Sequence, residues 1–132
     1  MSAYTVGDTL KTPIKITEKM VNQFAEMSGD FNPVHMDDAY AAKTRFGKRI
    51  AHGMISAALI SRVLAMELGE GGIYLAQELK FLVPIYLEET VTVELHVLSF
   101  RRNIAQVETI VRNEKGEIAV KGQATIMAPK AL

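Results

Sequence analysis

The chain has 132 residues, 48% of them hydrophobic and 23% charged, which describes one folded domain and not a disordered polymer. Fifteen basic residues balance fifteen acidic ones, so charge gives no reason to expect nucleic acid or an anionic membrane as partner. Cysteine is absent, which excludes disulfides, thiolate metal centres and a cysteine nucleophile.

Met1 to Asp8 contain no basic segment followed by an apolar core, so no signal peptide is expected and the cytoplasm is the default location. Thr9 to Ile16 reads as a short edge strand, because Pro13 cannot donate to a ladder. Thr17 suits an N-cap. After it Met20, Val21, Phe24, Ala25 and Ser28 recur on one helical face, and Gly29 stops the run. Pro33 disfavours helix at Asn32, so Asp30 to His35 is expected as an irregular loop. Asp37 or Asp38 caps a short helix over Ala39 to Lys43. Thr44 to Ile50 is basic and loop-like.

Gly53 to Leu68 carries almost no polar face, which predicts a long buried helix. It is too short and too interrupted to span a bilayer. Gly69, Gly71 and Gly72 end it. The remainder alternates: Ile73 to Val83, with Gln77 out of phase; Val91 to Val97; Ala105 to Val111; Ile118 to Ile126. Such alternation predicts half-buried strands joined by turns at Pro84, Arg101-Arg102-Asn103 and Asn113 to Gly116. The pattern gives an α+β domain over residues 1–132, with an antiparallel sheet covered by the long helix. Strand order is not readable.

Candidate chemistry gathers between Ser28 and Gly53. Asp30 and His35 are a candidate acid/base pair that would handle a water and its proton. Neutral imidazole, with a pKa of about 6.5, suits a base at neutral pH. Alone, an Asp ahead of a His is more readily a turn cap. Asn32-Pro33 sets the loop shape, with Asn32 holding His35 or the backbone. Gly53 opens the apolar helix, where a free N–H and the helix dipole favour negative charge. Ser61 is by default a small packing residue. His52 reads as a structural hydrogen-bonding residue and His96 as a surface one. A metal set of His35, Asp37 and His52 uses ordinary ligand types, but its spacing matches no ligand pattern. No metal and no cofactor is expected.

Asp30-Phe31-Asn32-Pro33-Val34-His35-Met36-Asp37 resembles the hydratase motif of the MaoC-like, (R)-specific enoyl-CoA hydratases. The likeness continues through Phe46 to Met54 and Ile73 to Phe81 and covers essentially the whole chain. It implies a hotdog fold, a curved antiparallel sheet around a central helix. It implies a homodimer with sites at the subunit boundary and an acyl-CoA substrate. The reaction it implies is reversible syn addition of water to a trans-2-enoyl-CoA, giving an (R)-3-hydroxyacyl-CoA. Asp30 and His35 then fall on the catalytic pair, Gly53 on the thioester-binding amide, and Ser61 on a serine of the same helix. The family serves polyester synthesis in some settings and fatty-acid oxidation in others.

Three other readings stay open. A thioesterase of this fold wants a carboxylate near the central helix, which here carries none before Glu67. A 3-hydroxyacyl-ACP dehydratase runs the same reaction in reverse. A non-catalytic module would bind acyl thioesters without turning them over. The basic run Lys43, Arg45, Lys48, Arg49 is either a contact for CoA phosphates or a solvated loop. The seven methionines fit an adaptable core or acyl pocket.

Overall fold

The structure, a computed structural model, describes residues 4–129; the outermost residues of the domain expected over 1–132 lie outside the described ones. Strand β1 (Thr9–Lys15) leads into α1 (Glu18–Ser28), a short α2 (Pro33–Met36), α3 (Asp38–Ala42) and the central α4 (Gly53–Val63). Strands β2 (Ile73–Phe81), β3 (Thr90–Arg101), β4 (Ile104–Arg112) and β5 (Ile118–Met127) follow. All pair antiparallel in one sheet of order β1-β3-β4-β5-β2. This is a hotdog fold, with α4 packed against the concave face.

The alternating residues of β3, β4 and β5 make that face. Val91, Val93, Leu95, Val107, Val111 and Ala124 are fully buried, against Ile55, Ile60 and Val63 of α4. Ile60 is 0% exposed, so Ile60→Ala is expected to cost about 2–5 kcal/mol of stability, read from urea unfolding. Among the described residues, no helix is long and apolar enough to cross a membrane.

Three expectations need correction. The helix does not run uniformly to Leu68: from Leu64 to Leu68 it widens to a π-helical turn, closed by Gly69 N–H to the Leu64 carbonyl at 3.1 Å. Nor is the helix buried all round. Met54 and Met66 are 56% and 64% exposed, so one flank faces outward. Strand β2 is not half-buried either. It is a sheet edge, with Ile73, Leu75 and Phe81 about half exposed. A bulge between Tyr74 and Ala76 shifts the phase of the strand's first residues relative to the rest. Gln77 turns inward, and its amide donates to the buried Thr109 hydroxyl at 3.0 Å. The methionines divide: Met20 and Met36 pack against the core, while Met27, Met54, Met66 and Met127 are exposed, Met54 lining a surface groove.

Candidate active site

A relay of short-range hydrogen bonds shapes the turn after α1. Gly29 takes the left-handed conformation (φ 79°) that ends the helix. The Asp30 carboxylate accepts from Asn32 N–H at 3.1 Å, and the Asn32 side chain accepts from Val34 N–H at 3.2 Å. Asn32 thereby caps α2, with Pro33 at its first position, where a missing N–H costs nothing. The expected irregular loop is therefore a helical turn from Pro33 onward. Pro33 keeps Asn32 out of the helix but itself opens the turn. Asn32 holds the backbone, and its carbonyl also accepts from His35 N–H at 2.9 Å. Asp30 does cap a turn, while its carboxylate stays exposed.

His35 is braced from the segment before α4. Its Nδ1 lies 2.8 Å from the Ile50 carbonyl, and because a carbonyl only accepts, Nδ1 carries the hydrogen. Nε2 is left with its lone pair. Ile50 N–H returns to the Val34 carbonyl at 3.2 Å. Arg49 Nε donates to the His35 carbonyl at 2.6 Å, while its terminal nitrogens reach Glu18 at 2.6 Å and Asn22 at 3.2 Å on α1. Arg49 is buried, so the phosphate reading of the basic run fails for it. Arg45 and Lys48 remain exposed, lying over the rings of Phe46 and Tyr86. Arg49→Met is expected to cost about 2 kcal/mol in unfolding measurements, because it removes charged donors from three acceptors at once.

His52 is the hydrogen-bonding residue expected. Its Nε2 donates to the Asp30 carbonyl at 2.9 Å. Its ring also lies against that of His35, centroids 4.1 Å apart and planes tilted by 31°, a contact the sequence did not disclose. Gly53 follows as the first residue of α4, and among the described residues its N–H has no acceptor. A Cβ there would stand 2.8 Å from the Phe81 ring, so glycine is what lets strand β2 approach the helix start.

His35, His52, Gly53 and Phe81 line one cavity of about 270 Å³, with Arg45 and Phe46 on its wall. Asp30 stands beside it. Ligand-type atoms of Asp30, His35 and His52 all lie within 4.8 Å of one another. Two groups sharing a water through bonds of about 2.8 Å stand roughly 4.6 Å apart, so the spacing suits one shared water. The metal set weighed from the sequence does not assemble, since Asp37 caps α3 by accepting from Tyr40 N–H at 3.0 Å. Ser61 is not brought to this cavity. It lies eight residues beyond Gly53, about 12 Å along the helix, and lines a separate pocket of about 100 Å³ with Tyr4 and Tyr74.

Burial lowers the His35 pKa below the ordinary 6.5, and His52 adds to that; the Ile50 carbonyl and Asp30 pull it back up. The imidazole is therefore neutral at physiological pH.

A family model described as the MaoC like domain matches residues 2–119. The chain belongs to the MaoC-like domain family. Among its relatives, the "(R)-specific enoyl-CoA hydratase" of Aeromonas caviae is 39% identical over 94% of this chain and 95% of its own length. A "3-hydroxybutyryl-CoA dehydratase" of Methylorubrum extorquens is 36% identical over 95% of this chain and 81% of its own. Of solved structures, the R-hydratase PhaJ1 of Pseudomonas aeruginosa, unliganded, superposes with a TM-score of 0.92 at 46% identity, covering 96% of this chain and 83% of that one. The segments that carry the MaoC-like resemblance, 30–37 and 46–54, are the ones that meet around the cavity.

Proposed function

We propose that this chain is an (R)-specific enoyl-CoA hydratase that adds water reversibly and syn to a trans-2-enoyl-CoA. One observation carries the reading: a neutral imidazole with a bare Nε2 lines the same cavity as the unpaired Gly53 N–H, with the Asp30 carboxylate alongside.

In this reading the thioester oxygen sits at the Gly53 amide. Water shared by Asp30 and His35 gives a proton to Nε2 as its oxygen attacks the β-carbon. Electrons move to the thioester oxygen, and the enolate formed there is held by the N–H and the helix dipole. The proton returns across the Asp30–His35 pair to the α-carbon on the same face. The acyl group runs past Phe81 toward Met54, Ala57 and Leu79, which line an adjoining groove of about 350 Å³. Ser61, further along the helix, lies beyond the thioester and enters this reading only through family likeness.

The occupant of the exposed β2 edge is a second copy of the chain. Ile73, Leu75 and Phe81 on the edge, with Met54 and Met66 on the helix flank, make an apolar border that an isolated protomer leaves in water. Sedimentation is expected to report twice 14.6 kDa.

The thioesterase reading is disfavoured, because Glu67 accepts from the Thr12 hydroxyl at 2.7 Å at the far end of the helix. The test mixes purified protein with crotonyl-CoA and follows loss of enoyl absorbance. Release of free CoA instead would favour the thioesterase, and preference for the acyl-carrier-protein thioester would favour the dehydratase.

A further inference from the structure

We propose that His52 is a positioning residue for the Asp30–His35 pair: its Nε2–H holds the Asp30 carbonyl while its ring covers one face of His35. The proposal rests on the reading of His35 as the base.

The His52 ring is 3% exposed and lies between two others, Phe24 at 4.8 Å and His35 at 4.1 Å. Its Nε2 must carry the hydrogen, since the Asp30 carbonyl only accepts. Nδ1 is buried and has no partner among the described residues. One imidazole therefore ties both members of the pair. It fixes the main chain of the residue that supplies the carboxylate, and it covers one ring face of the residue that supplies the lone pair. Helix α1, through Phe24, backs it from behind.

The charged groups around His35 are few. Asp30 lies on its own turn, Arg45 is on the cavity wall, and Arg49 sits at its carbonyl with Glu18 beyond. The segment from Phe81 to Ile85, on the opposite wall, contributes only apolar side chains. With so little charge nearby, the cover that the His52 ring gives has a readable effect on His35 protonation, because removing it relieves part of the burial that lowers the His35 pKa.

Two variants separate the two roles. His52→Phe keeps an aromatic cover but loses the donor. His52→Gln keeps a donor near the Nε2 position but loses the cover. His35 is titrated by imidazole NMR in each, and kcat and kcat/KM for crotonyl-CoA are measured across pH. In H52Q the His35 midpoint and the acid limb of kcat/KM are expected to move up together toward 6.5. In H52F, which keeps the cover, the midpoint is expected to move less than in H52Q, while kcat falls about tenfold or more at little-changed KM. The proposal is overturned if both variants keep the midpoint and kcat within about twofold of the parent, or if the midpoint moves equally in both. It is also overturned if lost activity only tracks lost folded protein. The NMR titration needs no turnover. A parent protein that fails to hydrate crotonyl-CoA would remove the hydratase reading and still leave the His52 result legible.

Discussion

Asp30→Asn and His35→Gln are each expected to lower kcat for crotonyl-CoA hydration by about 10²–10⁴, the range contributed by a positioned proton transfer. The fold has little reason to suffer. Asp30 is exposed, and an asparagine oxygen can still accept from Asn32 N–H. A glutamine at 35 loses the ring that reaches the Ile50 carbonyl, but the His35 carbonyl still receives Arg49. Melting temperatures should therefore move little while turnover falls. The pH profile adds a sign. The base works only when neutral, and burial lowers its pKa, so the acid limb of kcat/KM should fall below 6.5 rather than above it. The same depression favours the folded state above the unfolded pKa, and that contribution is lost as pH drops through the folded value. If either variant keeps near-parent turnover, the proposed roles are wrong.

The second large effect belongs to a main-chain group. Gly53→Pro deletes the N–H at a position where helices accept proline. His52 already holds the extended conformation that a following proline requires, with φ −59° and ψ 133°. The expected loss in kcat is about 10²–10³, or roughly 3–4 kcal/mol of transition-state stabilisation. Gly53→Ala is the control. It keeps the amide and adds a Cβ 2.8 Å from the Phe81 ring, which is half exposed and free to shift. The alanine variant should lose much less than the proline variant. Equal losses would place the cause in the side-chain volume and not in the amide.

The sequence disclosed whatever is periodic or locally capped. Val91, Val93 and Leu95 alternate because one sheet face is buried, and Thr17 caps α1 because its hydroxyl accepts from Met20 N–H at 3.1 Å. Asp37 caps α3 for the same kind of reason. Properties set by distant partners stayed hidden. Arg49 looks like part of a solvated basic run, and only folding brings Glu18, Asn22 and the His35 carbonyl around it. One signal was present: Arg49 directly precedes Ile50-Ala51, the apolar pair that leads into His52. The exposed edge of β2 was illegible for a different reason. An apolar edge strand left exposed has the same pattern as one buried within its own chain. Ser61 shows the converse limit, since sharing a helix with Gly53 does not tell that it stands about two turns away and lines a separate pocket.

The central claim is that one water, held by Asp30 and His35 on one face of the acyl group, supplies both the hydroxyl and the proton. The most direct measurement is to hydrate crotonyl-CoA in deuterium oxide and read the product's configuration at both carbons. The expected product is (R)-3-hydroxybutyryl-CoA, with deuterium at the α-carbon on the same face as the new hydroxyl. An (S) product, or deuterium on the opposite face, would contradict it.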